Sequence, residues 1–528
     1  MTTPLDNSDS FIIDSNNYKS IPCFFIGNCF IDSDVIMGRD GYLEYLKKNK
    51  KNEFDPQEGR YIYFNKDTIR SDPFCLMALF YYNSGDYFAI SNSFIHLIQY
   101  LRNKEIKLSV NDDSILITRY PSTYINAQPF MQTICSEINI VPTFQYIKIV
   151  NNSLILNNIL DENLLKNSYK ETLQEYIATT ASRINTIIDS KLFDVQVDLS
   201  GGLDSRAILS LILNIKSPSD FTMVLKEENG NPNLRVDNEI AREIVNKHNL
   251  NYITDNGNEP ISSTGRNCGK MVPYSYFKNH YIGQLYTLLH CPGITDPSLM
   301  GFHGGAGEIY KHTQFINEKF MDLEILKKIS PNSEKLLVDT YKQRHKSLNG
   351  LHLNLYTYIM GRNRFHYGHN TTFVEHTTFL YPSIKLLQTV NIENIQDNVQ
   401  HDIMNIAYPD LLSTRFDSEY KNYKGHINNT YDKIKVKSGN VYMNSSALKH
   451  KYDNFLTEPF ENWWNDAKTD IHETIKFVNN NDNIQKRFIK ECEMLETVAK
   501  MKDTMSIKSV QPYWKGVSIL LCVKEIIG

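Results

Sequence analysis

The sequence predicts an α/β protein in two parts, a β-rich first part to about residue 157 and a longer part built on a parallel sheet with many helices. Three observations carry this. Short aromatic and β-branched runs separated by turn residues fill the first part. From about Asp161 the apolar residues change to helical spacing. Strand, helix, strand, helix and strand patterns then follow one another to about Thr254, the order of a parallel sheet with crossover connections.

In chain order, the runs 22–26, 60–64 and 87–90 read as strands, punctuated by Gly27, Gly59 and the turn signal Asn83-Ser84-Gly85-Asp86. The run 145–150, then Asn151-Asn152, then 153–156 reads as a hairpin that closes the first part. A helix is expected over about 161–190, where Leu173, Tyr176, Ile177, Ile184, Ile187 and Ile188 share one face. The strand 193–199 leads through a glycine turn into a helix across 207–213. A strand over 221–225, a helix around 239–248 and a strand over 251–254 follow. Beyond about residue 265 the pattern is mainly helical with Asn-rich loops, and no internal repeat is present.

Composition narrows the classes of function. The chain has 528 residues, enough for two or three domains, with 41% hydrophobic and 22% charged residues. A net charge of -4 and the lack of a basic stripe argue against a nucleic-acid partner. The eight cysteines form no CxxC pair and no zinc-ligand spacing, which fits a reducing cytoplasm. The N-terminus does not read as a signal peptide, and no apolar run reaches the roughly 20 residues that span a bilayer. A cytoplasmic protein without membrane contact is expected.

The chemistry concentrates in Ser200-Gly201-Gly202-Leu203-Asp204-Ser205, directly after the strand 193–199. An open parallel sheet places ligands past the carboxyl ends of its strands. Two glycines let the backbone approach a phosphate chain, and the following helix N-terminus offers N–H groups and a favourable dipole. The Ser200 and Ser205 hydroxyls add donors. Asp204, a carboxylate beside phosphates, makes sense as a ligand of bridging magnesium. A plain strand-to-helix turn uses the same residue types, but nothing structural in such a turn demands Asp204. The string is not a Walker loop, which needs GxxxxGK[ST].

This SGGLDS string resembles the PP-loop of the N-type ATP pyrophosphatases. In the first part, residues 59–64, the stretch Arg70-Ser71-Asp72-Pro73 and residues 89–93 resemble the glutaminase-like domain of asparagine synthetase. From about residue 20 to the end, the chain is similar to the asparagine synthetase B family, which includes β-lactam synthetases and lasso-peptide cyclases. The resemblance implies an N-terminal-nucleophile-type (Ntn-type) α+β domain over 1–157 and an ATP-pyrophosphatase synthetase domain over 158–528. The family's glutaminase cysteine follows Met1. Here that position is Thr2, with Cys23 and Cys29 well inside the chain, so the first domain is expected to make no ammonia.

The resemblance also implies site residues. ATP is expected against Leu199, Ser200, Gly201, Gly202, Asp204, Ser205, Val224 and Gly305, with Mg2+ on Asp204. Residues 302–310 resemble the family loop SGEGSDELF; its metal-binding aspartate falls on Gly307, and the neighbouring Glu308 is the candidate second metal ligand. Residues 375–382 resemble ExRxPFLD, which makes Glu375 the candidate base for the attacking amine, with Tyr381 among the replaced positions. Arg362 and Arg364 are candidates for a substrate carboxylate. The family's charge-stabilising lysine corresponds to Lys421 or Lys424, since the spacing from Arg415 does not decide between them.

The function so implied is ATP-dependent amide formation. A substrate carboxylate is adenylated, and an amine of the same or a second molecule attacks, as in peptide macrocyclisation or β-lactam formation. Its partners would be a small molecule or peptide bearing both groups, and a biosynthetic partner protein. Amidation with free ammonia is the same-fold alternative. A scaffold subunit without catalysis is the alternative from another class, favoured by the changes at Gly307 and Tyr381.

Overall fold

The computed structural model describes residues 10–50, 54–56, 58–117, 130–159, 167–226, 232–255, 273–282, 298–311, 323–342, 351–369, 376–395, 398–416, 425–427, 433–444, 460–501 and 507–528. It is a mixed α/β structure with an antiparallel N-terminal region and an all-parallel sheet carrying many helices. Among the described residues, no helix is long and apolar enough to cross a membrane.

Period-two alternation organises the first part. Its strands are β1 (Ile13–Asp14), β2 (Phe24–Ile31), β3 (Asp34–Met37), β4 (Glu58–Asn65), β5 (Thr68–Ser71), β6 (Phe80–Asn83), β7 (Phe88–Ser91), β8 (Ile138–Ile140), β9 (Gln145–Val150) and β10 (Ser153–Asn158). One sheet has the order β1-β7-β6-β8, and the other begins β10-β9-β5-β4-β2-β3. Phe24, Ile26, Ile62 and Phe64 of the larger sheet meet Ile13, Phe88 and Ile90 of the smaller one in a shared core. The alternate residues Phe25, Tyr61 and Tyr63 face outward against Tyr42 and Tyr45 of α1 (Gly38–Asn49). On the far side, α2 (Phe94–Asn103), capped by the Ser93 hydroxyl, covers Phe80 and Ala89. The layers therefore run helix, sheet, sheet, helix, and each fully buried side chain of this kind contributes roughly 2 kcal/mol. The β9–β10 hairpin forms where expected. Asn151 and Asn152 both take positive φ, 51° and 62°, as a two-residue type I′ turn requires.

A buried carboxylate braces this region. Asp72 accepts backbone N–H groups from Phe74 and Leu76 at 3.1 and 3.2 Å, and the Ser71 hydroxyl donates to its other oxygen. Burial pushes its carboxyl up to about 6, against the opposing pull of these donors. The folded chain thus keeps this proton where the unfolded chain has released it. The resulting stabilisation is complete below about pH 4 and is lost as pH rises to about 6. Asp72→Asn keeps the acceptor oxygen but cannot ionise. Its stability relative to wild type is expected to rise by about 2–3 kcal/mol between pH 4 and pH 7. Urea unfolding of both proteins across that range checks this, and a constant difference would contradict it.

The second part begins with α3 (Tyr169–Asp189), whose start is set by a capping box between Ser168 and Glu171. The six apolar residues expected on one face of this helix are all buried. The strands β11 (Asp194–Leu199), β12 (Thr222–Lys226), β13 (Tyr252–Asp255), β14 (Leu299–His303) and β15 (His376–Phe379) form one sheet of order β13-β12-β11-β14-β15, with every pair parallel. The helix α4 (Leu203–Ile215) connects β11 to β12, and α5 (Pro232–Lys247) connects β12 to β13. The expected alternation from 193 to 254 is therefore present. The strands β14 and β15 lie in the stretch read as mainly helical; they are short, and β14 carries Gly301 at its centre, so neither has a readable period.

The two parts are interlocked. The strand β16 (Val441–Tyr442) joins the edge of the larger N-terminal sheet, parallel to β3. Trp463, Trp464 and Trp514, on the helices Phe460–Asn479 and Ile507–Ile527, share one apolar core with α2. The larger N-terminal sheet is thus completed, and the outer core of the smaller one built, by residues from the far end of the chain.

Candidate functional site

The strand order reverses at β11. Following the chain, β12 and β13 are added on one side of it, and β14 and β15 on the other. The carboxyl ends of β11 and β14 therefore flank the crevice where open α/β sheets bind ligands. The loop 200–205 leaves β11 on one side, and residues 304–311 leave β14 on the other.

Small side chains hold the first loop in shape. The Ser200 N–H donates to Ser205 Oγ at 3.1 Å, and the Gly202 N–H donates to Ser200 Oγ at 3.2 Å. The two hydroxyl oxygens lie 3.1 Å apart. The Gly201 N–H donates to Asp237 Oδ1 on α5 at 3.0 Å, so a carboxylate of this chain sits on an amide that the motif offers to an anion. The helix α4 starts at Leu203 with Gly202 as its N-cap, so the positive end of its dipole lies at the loop.

The facing loop comes unusually close. A Cβ on Gly304 would stand 2.5 Å from Ser205 N and 2.8 Å from the Asp204 carbonyl carbon. A Cβ on Gly307 would stand 2.3 Å from Asp204 Oδ1. Between them, Ala306 is fully buried with φ 65°, a strained backbone state for a residue with a side chain. A short turn, Gly307–Tyr310, follows and delivers Lys311 to the crevice.

Asp204 is the centre of the resulting network. Lys311 Nζ donates to its Oδ2 at 2.6 Å, and Gln400 Nε2 donates to its Oδ1 at 2.9 Å. The same Gln400 nitrogen donates to the Gly307 carbonyl at 2.9 Å, tying the two loops through α6 (Val399–Ala407). The Tyr381 hydroxyl donates to the Asp204 carbonyl at 2.5 Å, and Tyr310 holds Tyr381 through its carbonyl at 2.7 Å. Glu308 Oε2 accepts from the Tyr367 hydroxyl at 3.0 Å. Burial raises the Asp204 carboxyl above the usual carboxylate range; the Lys311 charge opposes this, and the Glu308 charge adds to it.

The loop is also anchored from beneath. Arg206, fully buried on α4, donates to the carbonyls of Gly201 and Thr414, both at 2.9 Å, and to those of Leu411 and Arg415. Its guanidinium carbon lies 3.9 Å from the Phe416 ring centroid. Arg415 in turn reaches Glu243 on α5 at 2.9 Å.

Of the expected site residues, the structure brings together Ser200, Gly201, Gly202, Asp204 and Ser205 with Glu308 and the loop containing Gly305. Leu199 and Val224 are buried neighbours on β11 and β12. Glu375, Lys421 and Lys424 lie outside the described residues. Arg364 needs correcting as a substrate-carboxylate candidate, because it is fully buried and donates to the Val141 carbonyl at 2.8 Å. Lys311, Gln400, Tyr367 and Arg206 were not anticipated. Arg206 had one visible signal, a basic residue directly after the motif and before the mainly apolar run 207–213. Asp198, a charge between Val197 and Leu199, had another; its carboxylate pairs with His303 across β11 and β14.

Magnesium demands near-octahedral oxygen coordination at roughly 2.0–2.1 Å. An ammonium already stands 2.6 Å from Asp204 Oδ2, where the ion would be, and Gln400 covers Oδ1. Position 307 has no room for the aspartate of the resembled loop. Among the described residues, no group of three or more His, Cys, Asp or Glu is placed to hold a metal. As arranged, these residues do not fit magnesium on Asp204 and Glu308.

A separate cleft of about 440 Å³ opens between Tyr61 and Arg70 of the N-terminal sheet and Tyr176 and Arg183 of α3. Six of the seven charged residues that line it meet in pairs, Arg70 with Asp55, Arg183 with Glu58 and Lys385 with Glu175, and Asp32 is the seventh. None of residues 200–205 lines it. No protein-family model matches the chain, and no curated protein matches it in sequence.

Proposed function

We propose that the chain is an ATP-dependent, AMP-forming carbon–nitrogen ligase of the kind that the asparagine synthetase B resemblance implies. The observation that carries this reading is the position of 200–205. The loop leaves the central strand at the reversal of strand order, and a helix N-terminus and an ammonium converge beside it. In the reaction, a carboxylate oxygen of the substrate attacks the α-phosphorus of ATP. The bond to the β-phosphate oxygen breaks and pyrophosphate leaves. An amine nitrogen then attacks the acyl carbon, forming the amide as the carbon–oxygen bond breaks, AMP leaves and the amine gives up a proton. Lys311, beside the loop, offsets part of the charge that builds on the phosphates. Glu375 remains the proposed base, and Lys421 or Lys424 the second cation.

The layered N-terminal region is proposed to be an Ntn-type domain without glutaminase chemistry. The described cysteines nearest the start support this. Cys29 is buried on β2 and its thiol is held well above the usual range by burial, and Cys23 sits at the rim, donating to Asn65. The amine is therefore proposed to come from the substrate itself or from a second one. The rival reading, a subunit that keeps the fold without the reaction, is favoured by Asp237 occupying the Gly201 amide.

The test is to incubate the full chain with ATP and a panel of peptides and small molecules carrying both a carboxylate and an amine, with ammonium salts in parallel. Release of AMP and pyrophosphate in equal amounts, dependent on one class of substrate, is the expected result. Release of ADP and phosphate would overturn the adenylation chemistry. Failure to bind any ATP analogue would move the silent-subunit reading ahead.

A further inference from the structure

We propose that Asp237 is a built-in occupant of the phosphate loop: its carboxylate holds the Gly201 amide that a nucleotide phosphate would take, so a polyphosphate binds by displacing it. This rests on the nucleotide reading above and adds to it what the ligand must first remove.

The three backbone amides from 200 to 202 are all taken by side chains of this chain. The Ser200 and Gly202 N–H groups donate to hydroxyls within the loop, those of Ser205 and Ser200. Of the three, only the Gly201 N–H donates to a charged group, Asp237 Oδ1 at 3.0 Å, which comes from 36 residues away on α5. The place suits an anion, since the positive end of the α4 dipole lies at the loop. A carboxylate oxygen and a phosphate oxygen are both anionic acceptors, and they compete for one N–H. Asp204 and Glu308 add negative charge beside the loop. A phosphate that arrives while Asp237 stays in place meets like charge at short range.

The Asp237 contact is not what shapes the loop. The two hydroxyl bonds close it from within, and the Gly201 carbonyl accepts from Arg206 at 2.9 Å. Arg206 also donates to the Arg415 carbonyl, and Arg415 pairs with Glu243 of α5 at 2.9 Å. When Asp237 lets go, α5 therefore stays tied to the loop by a second route. Asp237 is half-buried and makes a further interaction of its own. Rotation about its first side-chain bond takes the carboxylate off the amide while the helix stays where it is.

The experiment is calorimetric titration of the full chain with a non-hydrolysable ATP analogue and magnesium, and separately with adenosine, for wild type, Asp237→Asn and Asp237→Ala. Asparagine keeps the shape and the acceptor oxygen and removes the charge, so it guards against an alanine variant that fails to fold. The analogue is expected to bind Asp237→Asn about tenfold tighter than wild type, and Asp237→Ala at least as tightly as Asp237→Asn. Adenosine, which carries no phosphate, is expected to change by less than about twofold. If folded Asp237→Asn binds the analogue no tighter than wild type, or folded Asp237→Ala binds it more weakly, the inference is overturned while the nucleotide reading stands. An equal gain for adenosine overturns it as well, because the effect is then not one of charge. Binding by the variants where wild type shows none supports it. Absence of analogue binding in all three proteins removes the nucleotide reading itself, and this inference with it.

Discussion

Arg206→Met is expected to destabilise the chain by about 3–5 kcal/mol, the largest effect of any single substitution near the loop. The side chain is fully buried and faces four backbone carbonyls, those of Gly201, Leu411, Thr414 and Arg415. Methionine fills much of the volume but donates nothing, so these carbonyls lose a charged donor in a dry setting, each at a cost of about 1–3 kcal/mol. Part of this is offset because a guanidinium no longer has to leave water. Arg206→Lys is expected to recover little, since one ammonium cannot span carbonyls that a planar fork reaches together. Urea unfolding monitored by circular dichroism measures the loss. A decrease below about 1 kcal/mol would mean that the segment 411–416 is held by other contacts.

Gly304→Ala is expected to lower affinity for an ATP analogue by about a hundredfold while costing only about 1–3 kcal/mol of stability. The added methyl would meet Ser205 N at 2.5 Å and Ser205 Cα at 2.9 Å. These are backbone atoms at a helix start and cannot rotate away. The loop after β14 has to retreat, carrying Lys311 and Glu308 away from Asp204. Gly202→Ala is the matched control, because its nearest neighbour is Ser200 Oγ at an ordinary 3.4 Å. It is expected to keep wild-type stability within about 0.5 kcal/mol. Wild-type affinity in Gly304→Ala would separate the close approach of the two loops from ligand binding.

Both predictions turn on contacts that pattern reading does not reach, while much of the surrounding fold was readable. The face of α3 is an example: Leu173, Tyr176, Ile177, Ile184, Ile187 and Ile188 repeat with the helix and are all buried. The Asn151-Asn152 hairpin is another, because two residues that tolerate positive φ specify the turn without help from the rest of the chain. The strands β14 and β15 escaped for the opposite reason. Five and four residues give too little alternation to read, and their place beside β11 depends on the whole sheet.

The same division runs through the site. The sequence alone determined the strand, the two glycines, Asp204 and a helix across 207–213, which the structure starts at Leu203, because each depends on residues within one turn of its neighbours. What faces Asp204 was decided by the tertiary structure. Lys311 is 107 residues away, Tyr381 is 177 and Gln400 is 196, and they arrive only because β14 is inserted next to β11 while α6 packs on α4. Local backbone preferences act over a few residues and leave a periodic trace in the sequence. An ion pair across a crevice acts over a few ångströms and leaves none, so the charge balance of this loop became visible only once the chain had folded around it.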